Sequence, residues 1–233
     1  MTPLPHPRGG RGVFVTGTDT GVGKTRVAVA LLRGLAADGW RVVGMKPVAA
    51  GIEAGAARNA DVEALAAAST IVATGVDVNP YAFLPPIAPH LAAARAGAVI
   101  DLDRCAAAYA RLAAAADRVV VEGAGGALVP LGPGTDMLDL AARLELPLLL
   151  VVGVRLGCLN HALLSAQAIR ARGLVLAGWV ANRVDPAMAE ADANVAALVE
   201  RLPAPLVADL PWDPRQGAAD PIHGAGGLFA SPA

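Results

Sequence analysis

Residues 17–25 read GTDTGVGKT and combine glycines, a lysine and a threonine in the manner of a phosphate-binding loop. In such loops backbone N–H groups surround the phosphates, the lysine contacts the outer phosphates and the hydroxyl residue holds Mg²⁺. The usual pattern has four residues between its two glycines, whereas five residues separate Gly17 from Gly23. The pattern therefore predicts a nucleotide-binding loop of a wider class, with Lys24 on the phosphates and Thr25 on the metal.

Three further charged residues lie where a nucleotide site would need them. Glu122 ends the apolar run at residues 118–122 and is followed by glycines, so it is a candidate metal ligand. Lys46 follows a second apolar run, and we expect its nearness to Lys24 to disfavour its ionisation, which suits a residue that stabilises an anionic intermediate. Asp61, at the start of an alanine-rich segment, could add a water-mediated metal contact. Each residue also has a simpler interpretation. Glu122 could be an exposed carboxylate, Lys46 a surface lysine, and Asp61 an acid that interacts with the dipole at a helix start.

Two later segments suit the remaining parts of a ligand. Residues 157–160 begin a predicted helix, whose free N–H groups could receive an anion such as a carboxylate together with Asn160. Cys158 has no base specified nearby, so we interpret it as a small buried residue rather than a nucleophile. Asn182 could pair with the N6/N7 edge of adenine. Alternatively, the stretch NRVD that begins at Asn182 resembles the guanine-reading motif N-K-x-D of GTP-binding proteins.

The elements that would carry these residues alternate between strand and helix. Short apolar runs rich in β-branched residues predict strands, and apolar residues recurring every three or four positions predict helices. This alternation predicts a doubly wound, mostly parallel α/β sheet with helices on both faces, in which ligands bind at the carboxyl ends of the strands. The predicted strands are 12–16, 41–45, 118–122, 147–154 and 174–181; the predicted helices follow residue 24 and span 60–68, 102–116, 135–144 and 158–172.

The segment 69–89 is predicted to have no regular element. Prolines at positions 80, 85, 86 and 89 interrupt it, and proline removes a backbone donor wherever it stands. We expect this ordered excursion to lie near a site or an interface.

Length and composition exclude several classes of protein. The 233 residues suffice for one α/β domain but not for a nucleotide domain plus a second catalytic domain, so we predict a single domain with a flexible lead-in at 1–11 and a loosely held tail at 214–233. The net charge of -1 argues against nucleic acid or membrane surfaces as partners. Since residues 146–154 are too short to span a bilayer and the first residues lack the apolar region of a signal peptide, we expect a cytoplasmic protein. The two cysteines are expected to be reduced.

Several separated motifs together resemble the dethiobiotin synthetase family over about residues 13–212. No single motif identifies the family, but together they occur in the family's order along most of the chain. The motifs are GTDTGVGKT, RVVGMKPVAAG, VNPYAF, the tripeptide Ala88-Pro89-His90, VEGAGG, VGVRLGCLNHALLS, LAGWVAN and the closing PAPL…LPW.

The resemblance implies an ATP- and Mg²⁺-dependent ligase of biotin biosynthesis. In this family CO₂ and one amine of 7,8-diaminononanoate form a carbamate, ATP phosphorylates it, and the second amine displaces phosphate to close the ring. It also implies a homodimer, in which residues 157–160 of one subunit receive the substrate carboxylate at the partner's site. Two departures are expected to weaken diamine binding: Gly21 stands where some members carry glutamate, and Ala50 stands where a hydroxyl residue can contact the substrate.

The same resemblance assigns roles to individual residues. The catalytic residues would be Lys24, Lys46 and Thr20. The metal ligands would be Thr25, Asp61 and Glu122. The substrate-binding residues would be Thr20, Lys46, Ala50, Gly157, Cys158, Leu159 and Asn160. The nucleotide-binding residues would be Gly21, Val22, Gly23, Lys24, Thr25, Arg26, Asp61, Glu122, Gly123, Ala124, Gly125, Asn182, Arg183, Pro211, Trp212 and Asp213.

Two kinds of nucleotide switch on the same fold are the alternatives. A GTPase would read guanine with the NRVD stretch, although Arg183 replaces the lysine of the standard motif. A partition-type ATPase would need a signature lysine near position 19, which is occupied by Asp19. Turnover that depends on a diamine and bicarbonate would favour the ligase over both.

Overall fold

The computed structural model of the chain describes residues 10–53, 55–214 and 220–229. Residues 1–9 of the predicted lead-in and residues 215–219 and 230–233 of the predicted tail lie outside these ranges. The strands are β1 (Gly12–Gly17), β2 (Val42–Met45), β3 (Val48–Ala50), β4 (Tyr81–Phe83), β5 (Arg118–Glu122), β6 (Pro130–Gly132), β7 (Thr135–Asp136), β8 (Leu148–Val154), β9 (Leu176–Arg183) and β10 (Leu206–Leu210). The α-helices are α1 (Lys24–Ala37), α2 (Ala60–Ala68), α3 (Gly75–Val78), α4 (Pro89–Arg95), α5 (Leu102–Ala115), α6 (Met137–Arg143), α7 (Cys158–Ala171) and α8 (Ala191–Arg201).

Six parallel strands form the central sheet, in the order β10-β9-β8-β1-β5-β2. This confirms the predicted doubly wound, parallel α/β fold. In the register of the sheet Val15 pairs with Glu122, and Gly17 pairs with Val151. The strand that leads into the phosphate loop therefore ends at the same edge as Glu122, which is the carboxyl edge where parallel sheets bind ligands.

Alternate residues of β1 pack on opposite faces of the sheet. Val13 and Val15 join an apolar cluster with Leu31 of α1, whereas Phe14 joins the larger cluster that contains Leu112 of α5. All three β1 side chains are fully buried, and each burial of this size stabilises the fold by about 1.5–3 kcal/mol. The strand that precedes the phosphate loop is thus held from both sides.

Several elements differ from those predicted. β3 and β4 form a small parallel sheet, and β4 lies inside the segment predicted to be irregular, because three-residue strands carry no detectable period. The predicted helix at 135–144 begins two residues late: Thr135–Asp136 pairs with β6, and Asp136 caps α6 in a capping box with Asp139. α8 and β10 were not predicted at all.

The C-terminal segment packs against the face of the sheet that α1 covers. Ala225–Phe229 forms a 3-10 helix in which Phe229 is 1% exposed. The Arg118 guanidinium lies 4.1 Å from the centre of the Trp40 ring and 5.2 Å from that of Phe229, within the range of cation–π attraction. Within the tail expected to be loosely held, residues 220–229 thus contribute buried side chains to the apolar cluster under α1.

Two further sequence expectations concern membranes and thiols. Within the described ranges, no helix combines the length and the apolar character that crossing a bilayer requires.

Cys105 in α5 and Cys158 in α7 are both buried free thiols, as expected. Burial raises the pKa of the Cys105 thiol to about 12, so it stays protonated at neutral pH.

Candidate active site

The phosphate loop connects β1 to α1 at the carboxyl edge of the sheet. β1 ends at Gly17 and α1 begins at Lys24, so the free N–H groups of the first helical turn close the loop. Gly21 and Gly23 have φ angles of 74° and 86°, in the left-handed region that glycine adopts without a steric cost. Lys24 is 6% exposed, and its ammonium group donates to the carbonyl oxygen of Asp19 at 3.0 Å. The strand, glycine loop and helix predicted from sequence are all present.

Asn182, in β9, contacts this loop directly. Its Nδ2 donates to the carbonyl oxygen of Val22 at 2.9 Å, and its Oδ1 accepts from the Arg26 guanidinium at 2.7 Å. The same guanidinium donates to the carbonyl oxygen of Pro211 at 2.9 Å. Asn182 is only 1% exposed. The predicted adenine-reading amide therefore joins the loop to β9 through hydrogen bonds inside the protein.

We predict that Gly23→Ala weakens ATP binding by more than about tenfold, which corresponds to 1.4 kcal/mol. A Cβ atom at Gly23 would lie 2.1 Å from Asn182 Nδ2, and the loop would have to move away from β9. Gly21→Ala is the matched control, since a Cβ atom at Gly21 meets no atom within 4 Å and adds only the strain of a positive φ. Calorimetric titration of ATP into both variants measures the difference. Equal affinities would show that Asn182 does not constrain the loop.

A buried group of charges lies beside the loop, at the ends of β2 and β5. The Lys46 ammonium group is 2.5 Å from Glu122 Oε1 and 2.8 Å from Asp61 Oδ2. The Thr25 hydroxyl also donates to Glu122 Oε1, at 2.8 Å. Lys46 is 4% exposed and Glu122 is 1% exposed, so water screens these charges little and they are strongly coupled.

The charges of this group shift the pKa values of the two lysines in opposite directions. Burial, followed by the positive charge of Lys46, lowers the pKa of Lys24 from 10.5 to about 8. Burial also acts to lower the pKa of Lys46, but Glu122 and Asp61 outweigh it and the pKa of Lys46 lies above its usual value. The expectation that ionisation of Lys46 is disfavoured is therefore wrong, because the two carboxylates raise the pKa of Lys46 by more than burial lowers it. Lys46 stays a cation.

The start of α2 places Asp61 beside Lys46. Asn59 caps this helix: its Oδ1 accepts the Asp61 N–H at 3.0 Å, and its Nδ2 donates to the carbonyl oxygen of Gly51 at 2.9 Å. Burial opposes ionisation of Asp61, but the Lys46 charge outweighs it and lowers the pKa of this carboxyl. Asn59 was missed in the sequence, although an asparagine before a predicted helix is a helix-cap signal that could have identified it.

The loop and the charge group open into one cavity of about 620 Å³. Thr20 and Ala50 line it, together with Lys24 and Lys46. Residues 86–89, from the proline-rich segment expected near a site or an interface, form part of its wall. The cavity therefore combines a cationic end with an apolar wall, an arrangement that suits a ligand with both charged groups and methylene groups.

The predicted carboxylate-receiving segment lies outside this cavity. Residues 157–160 start α7 at the end of β8, where Gly157 and Asn160 are exposed, and none of the four is among the cavity-lining residues in the described part of the chain. Arg155, just before them, pairs with Asp19 of the phosphate loop at 2.5 Å. The segment is thus beside the site of its own chain but does not contribute to it.

The NRVD stretch is not arranged to read guanine. Arg183 pairs with Asp209 at 2.7 Å and with Asp192 at 2.6 Å, and the hydrogen bonds that its guanidinium donates to these carboxylates raise its pKa. Asp185 Oδ1 accepts the N–H of Ala187 at 2.9 Å in a local turn. Both side chains are therefore engaged away from the cavity.

Comparison with known proteins agrees with this geometry. Residues 11–219 match the family model described as an AAA domain. The chain is 58% identical over 211 residues to a protein of Nitrosospira multiformis named ATP-dependent dethiobiotin synthetase BioD, and the match covers 91% of this chain and 92% of that protein. This chain belongs to the family of ATP-dependent dethiobiotin synthetases. A dethiobiotin synthetase of Aromatoleum aromaticum is 54% identical, with 90% of this chain and 96% of that protein covered.

Solved structures with a similar fold are also found. The MinC:MinD cell division protein complex of Aquifex aeolicus matches with a TM-score of 0.56 at 20% identity, over 88% of this chain and 83% of that chain. At this identity the likeness concerns the fold alone. The names of the dethiobiotin synthetase relatives do not favour a GTPase or a partition-type switch.

Proposed function

We propose that this protein converts 7,8-diaminononanoate, CO₂ and ATP into dethiobiotin, ADP and phosphate. One amine of the substrate forms a carbamate with CO₂, the carbamate oxygen receives the γ-phosphoryl group of ATP, and the second amine attacks the carbonyl carbon and expels phosphate. The observation that carries this proposal is that one cavity unites a phosphate loop, two lysines and an apolar wall. A loop for ATP and a wall for the carbon chain of the diamine thus face the same space.

The two lysines would stabilise the negative charges of the phosphates, the carbamate and the transferring phosphoryl group. Lys24, at the start of α1, would contact the outer phosphates, and its lowered pKa of about 8 would return toward the usual range as the phosphates add negative charge. Lys46 would hold the carbamate and the transferring phosphoryl group, because its carboxylate partners keep it cationic. Thr20 lines the cavity and would position the diamine beside them.

The residues present fit a magnesium ion. Glu122 Oε2 is buried and has no hydrogen-bond partner among the described residues, while the Thr25 hydroxyl and the Asp61 carboxylate lie in the same group. Carboxylate and hydroxyl oxygens, completed by phosphates and water, are the ligands Mg²⁺ prefers. We assign Thr25, Glu122 and, through water, Asp61 as its ligands. When bound, the ion would neutralise phosphate charge.

The nucleotide would lie along the loop with its base beside β9. Residues 21–26 would surround the phosphates, with residues 122–125 on the opposite side. Asn182 keeps one unused hydrogen on Nδ2 and one lone pair on Oδ1, enough for the adenine edge if the Arg26 side chain moves aside. Residues 211–213, following β10, would close over the base, and the half-exposed Trp212 offers an aromatic face. Arg183 would support this strand end through its ion pairs rather than contact the nucleotide.

A homodimer would complete the substrate site. Residues 157–160 lie outside the cavity of their own chain, and exposed leucines lie close in sequence to this segment or to the cavity wall: Leu156 is 92% exposed, Leu84 is 70% and Leu128 is 55%. Apolar surface of this kind is typical of a protein interface. Asn160 of one subunit would then receive the substrate carboxylate in the other subunit, which sets the position of the two amines.

Mixing two inactive variants tests this arrangement. Lys46→Ala disables the cavity of its own chain, and Asn160→Asp repels the substrate carboxylate from the partner's site. If the segment serves the partner, a mixed dimer contains one site without either change, and re-associated equal mixtures recover about one quarter of the wild-type rate. If the segment serves its own chain, mixing recovers no activity, and the proposed composite site is refuted.

Phosphate release from ATP tests the proposed reaction itself. The assay contains Mg²⁺ and bicarbonate, is run with and without 7,8-diaminononanoate, and follows dethiobiotin by mass. We expect release to require the diamine and to match product one for one. Release that ignores the diamine, or that needs GTP and a partner protein, would contradict the proposal. The cytoplasmic location and the absence of nucleic-acid and membrane partners stay predictions from the sequence.

A further inference from the structure

A short parallel ladder holds the backbone of Lys46, where the chain leaves the central sheet and enters β3. The Lys46 N–H donates to the carbonyl oxygen of Val78 at 2.8 Å, and the Tyr81 N–H donates to the carbonyl oxygen of Pro47 at 3.1 Å. The second bond belongs to the parallel pairing of Val48 with Tyr81 in the β3–β4 sheet, and the first is formed by the residue just before it. Lys46 therefore occupies the ladder position opposite residue 79.

One bond of this ladder cannot form between backbones. In a parallel pair, a residue whose N–H donates to the residue before its partner uses its carbonyl oxygen to accept the N–H of the residue after that partner. The partner of Lys46 is residue 79, so the Lys46 carbonyl oxygen should accept the N–H of residue 80. Residue 80 is proline and has no N–H. The Asn79 side chain supplies the missing donor: its Nδ2 donates to the Lys46 carbonyl oxygen at 2.6 Å and to the Tyr81 carbonyl oxygen at 2.9 Å. Both hydrogens of the carboxamide group are thereby used.

We infer that Asn79 is a positioning residue for Lys46 in ring closure, an inference that rests on the proposed function. Lys46 is 4% exposed, so its carbonyl oxygen has little access to water that could replace the carboxamide. The backbone is thus fixed at the residue whose ammonium group bridges Glu122 and Asp61. Losing the two bonds moves this ammonium group relative to the reacting atoms, and a displacement of about 1 Å costs about 10²-fold in rate.

The phosphate loop does not depend on Asn79. The loop is carried by β1 and α1 and is joined to β9 through Asn182, whereas the Asn79 side chain donates to the carbonyl oxygens of Lys46 and Tyr81. Removing the carboxamide donors is therefore expected to lower kcat about 10- to 100-fold while the KM and Kd for ATP stay within about twofold. A general loss of structure would change both.

The test compares Asn79→Ala and Asn79→Asp with Tyr81→Phe. Both Asn79 variants lack the two donors, and the aspartate keeps the shape. Tyr81→Phe is the matched control, since Tyr81 lies two residues after Asn79 and its hydroxyl accepts the Asp101 N–H at 2.9 Å. We expect both Asn79 variants, assayed below their melting temperatures, to lose kcat and the control to keep it. If Asn79→Ala does not fold, Asn79→Asp carries the test, and the expected result is the same: kcat falls while the affinity for ATP is kept.

A spectroscopic measurement adds a readout at Lys46 itself. Lys24 and Lys46 are the only lysines of the chain, so selective ¹³C,¹⁵N-lysine labelling yields two sets of signals. We expect the Asn79 variants to shift the Lys46 signals and leave those of Lys24 in place. Unchanged Lys46 signals, wild-type kcat in either Asn79 variant, or an equal loss in Tyr81→Phe would overturn the inference. Failure of the wild-type protein to form dethiobiotin would instead overturn the proposed function.

Discussion

Replacing Lys46 with alanine is expected to reduce dethiobiotin formation by about 10²- to 10³-fold while ATP still binds, because a single preorganised donor to a developing anion contributes on that order. Its ammonium group is buried between Glu122 and Asp61 and lines the cavity, but the nucleotide is expected to be held mainly by the loop before α1. The loss of a like charge also raises the pKa of Lys24, which favours ATP binding rather than opposing it.

Mass spectrometry of the product measures the loss of ring closure, and calorimetry measures whether the affinity for ATP is kept. Arg111→Ala is the matched control, since it removes a cation from the more exposed ion pair with Asp77 and should leave both quantities unchanged. Removing one partner of a buried pair costs about 3–5 kcal/mol of stability, so folding is checked by circular dichroism. Lys46→Gln, which keeps a donor toward Glu122, carries the same test if the alanine variant unfolds. Parallel loss of ATP affinity and ring closure would show that Lys46 is structural.

Glu122→Gln should reduce the rate by about 10²- to 10³-fold and raise the Mg²⁺ concentration needed for half-maximal rate. The change keeps the shape of the side chain but removes the charge that attracts the metal, and such charge stabilisation contributes several kcal/mol, with each 1.36 kcal/mol worth tenfold. It also removes the largest influence that raises the pKa of Lys46, so this lysine holds its proton less firmly.

A magnesium titration of ATP turnover measures this effect. Glu63→Gln is the control, because Glu63 is an exposed carboxylate in the first turn of α2, near Asp61 in sequence but outside the residues that line the cavity. The control should reproduce the wild-type titration. An unchanged magnesium dependence in Glu122→Gln would remove Glu122 from the metal site and leave its unpartnered Oε2 without an explanation.

The relation between Lys46 and its neighbours shows where inference from the sequence ends. The apolar run before Lys46 predicts a strand, and β2 lies there, one residue shorter than expected. The neighbours of its ammonium group depend on β2 lying next to β5 and on α2 returning over the same edge. Strand order is a property of the assembled sheet, so a lysine expected to lose its proton beside Lys24 instead keeps it between two carboxylates.

Asn182 and Asn79 show the same limit in another form. Asn182 was predicted to face a base, yet its amide is bonded to Val22 and Arg26, residues about 160 positions away in the chain. Asn79 was noted only as part of a motif, yet its carboxamide bonds the Lys46 carbonyl oxygen because the adjacent Pro80 has no N–H to donate, in a ladder that no local pattern predicts. In each case the partner is decided by how distant segments pack.

By itself the sequence determined the phosphate loop, the central strands, most helices and the strand-end position of Glu122, because glycine spacing and apolar periodicity act within about ten residues. Only the tertiary structure decided the pairing of Lys46 with Glu122 and Asp61, the wall formed by residues 86–89, the small β3–β4 sheet and the packed segment 220–229. These features join segments far apart in the chain, and their energies depend on burial and charge proximity that exist only after the chain has folded.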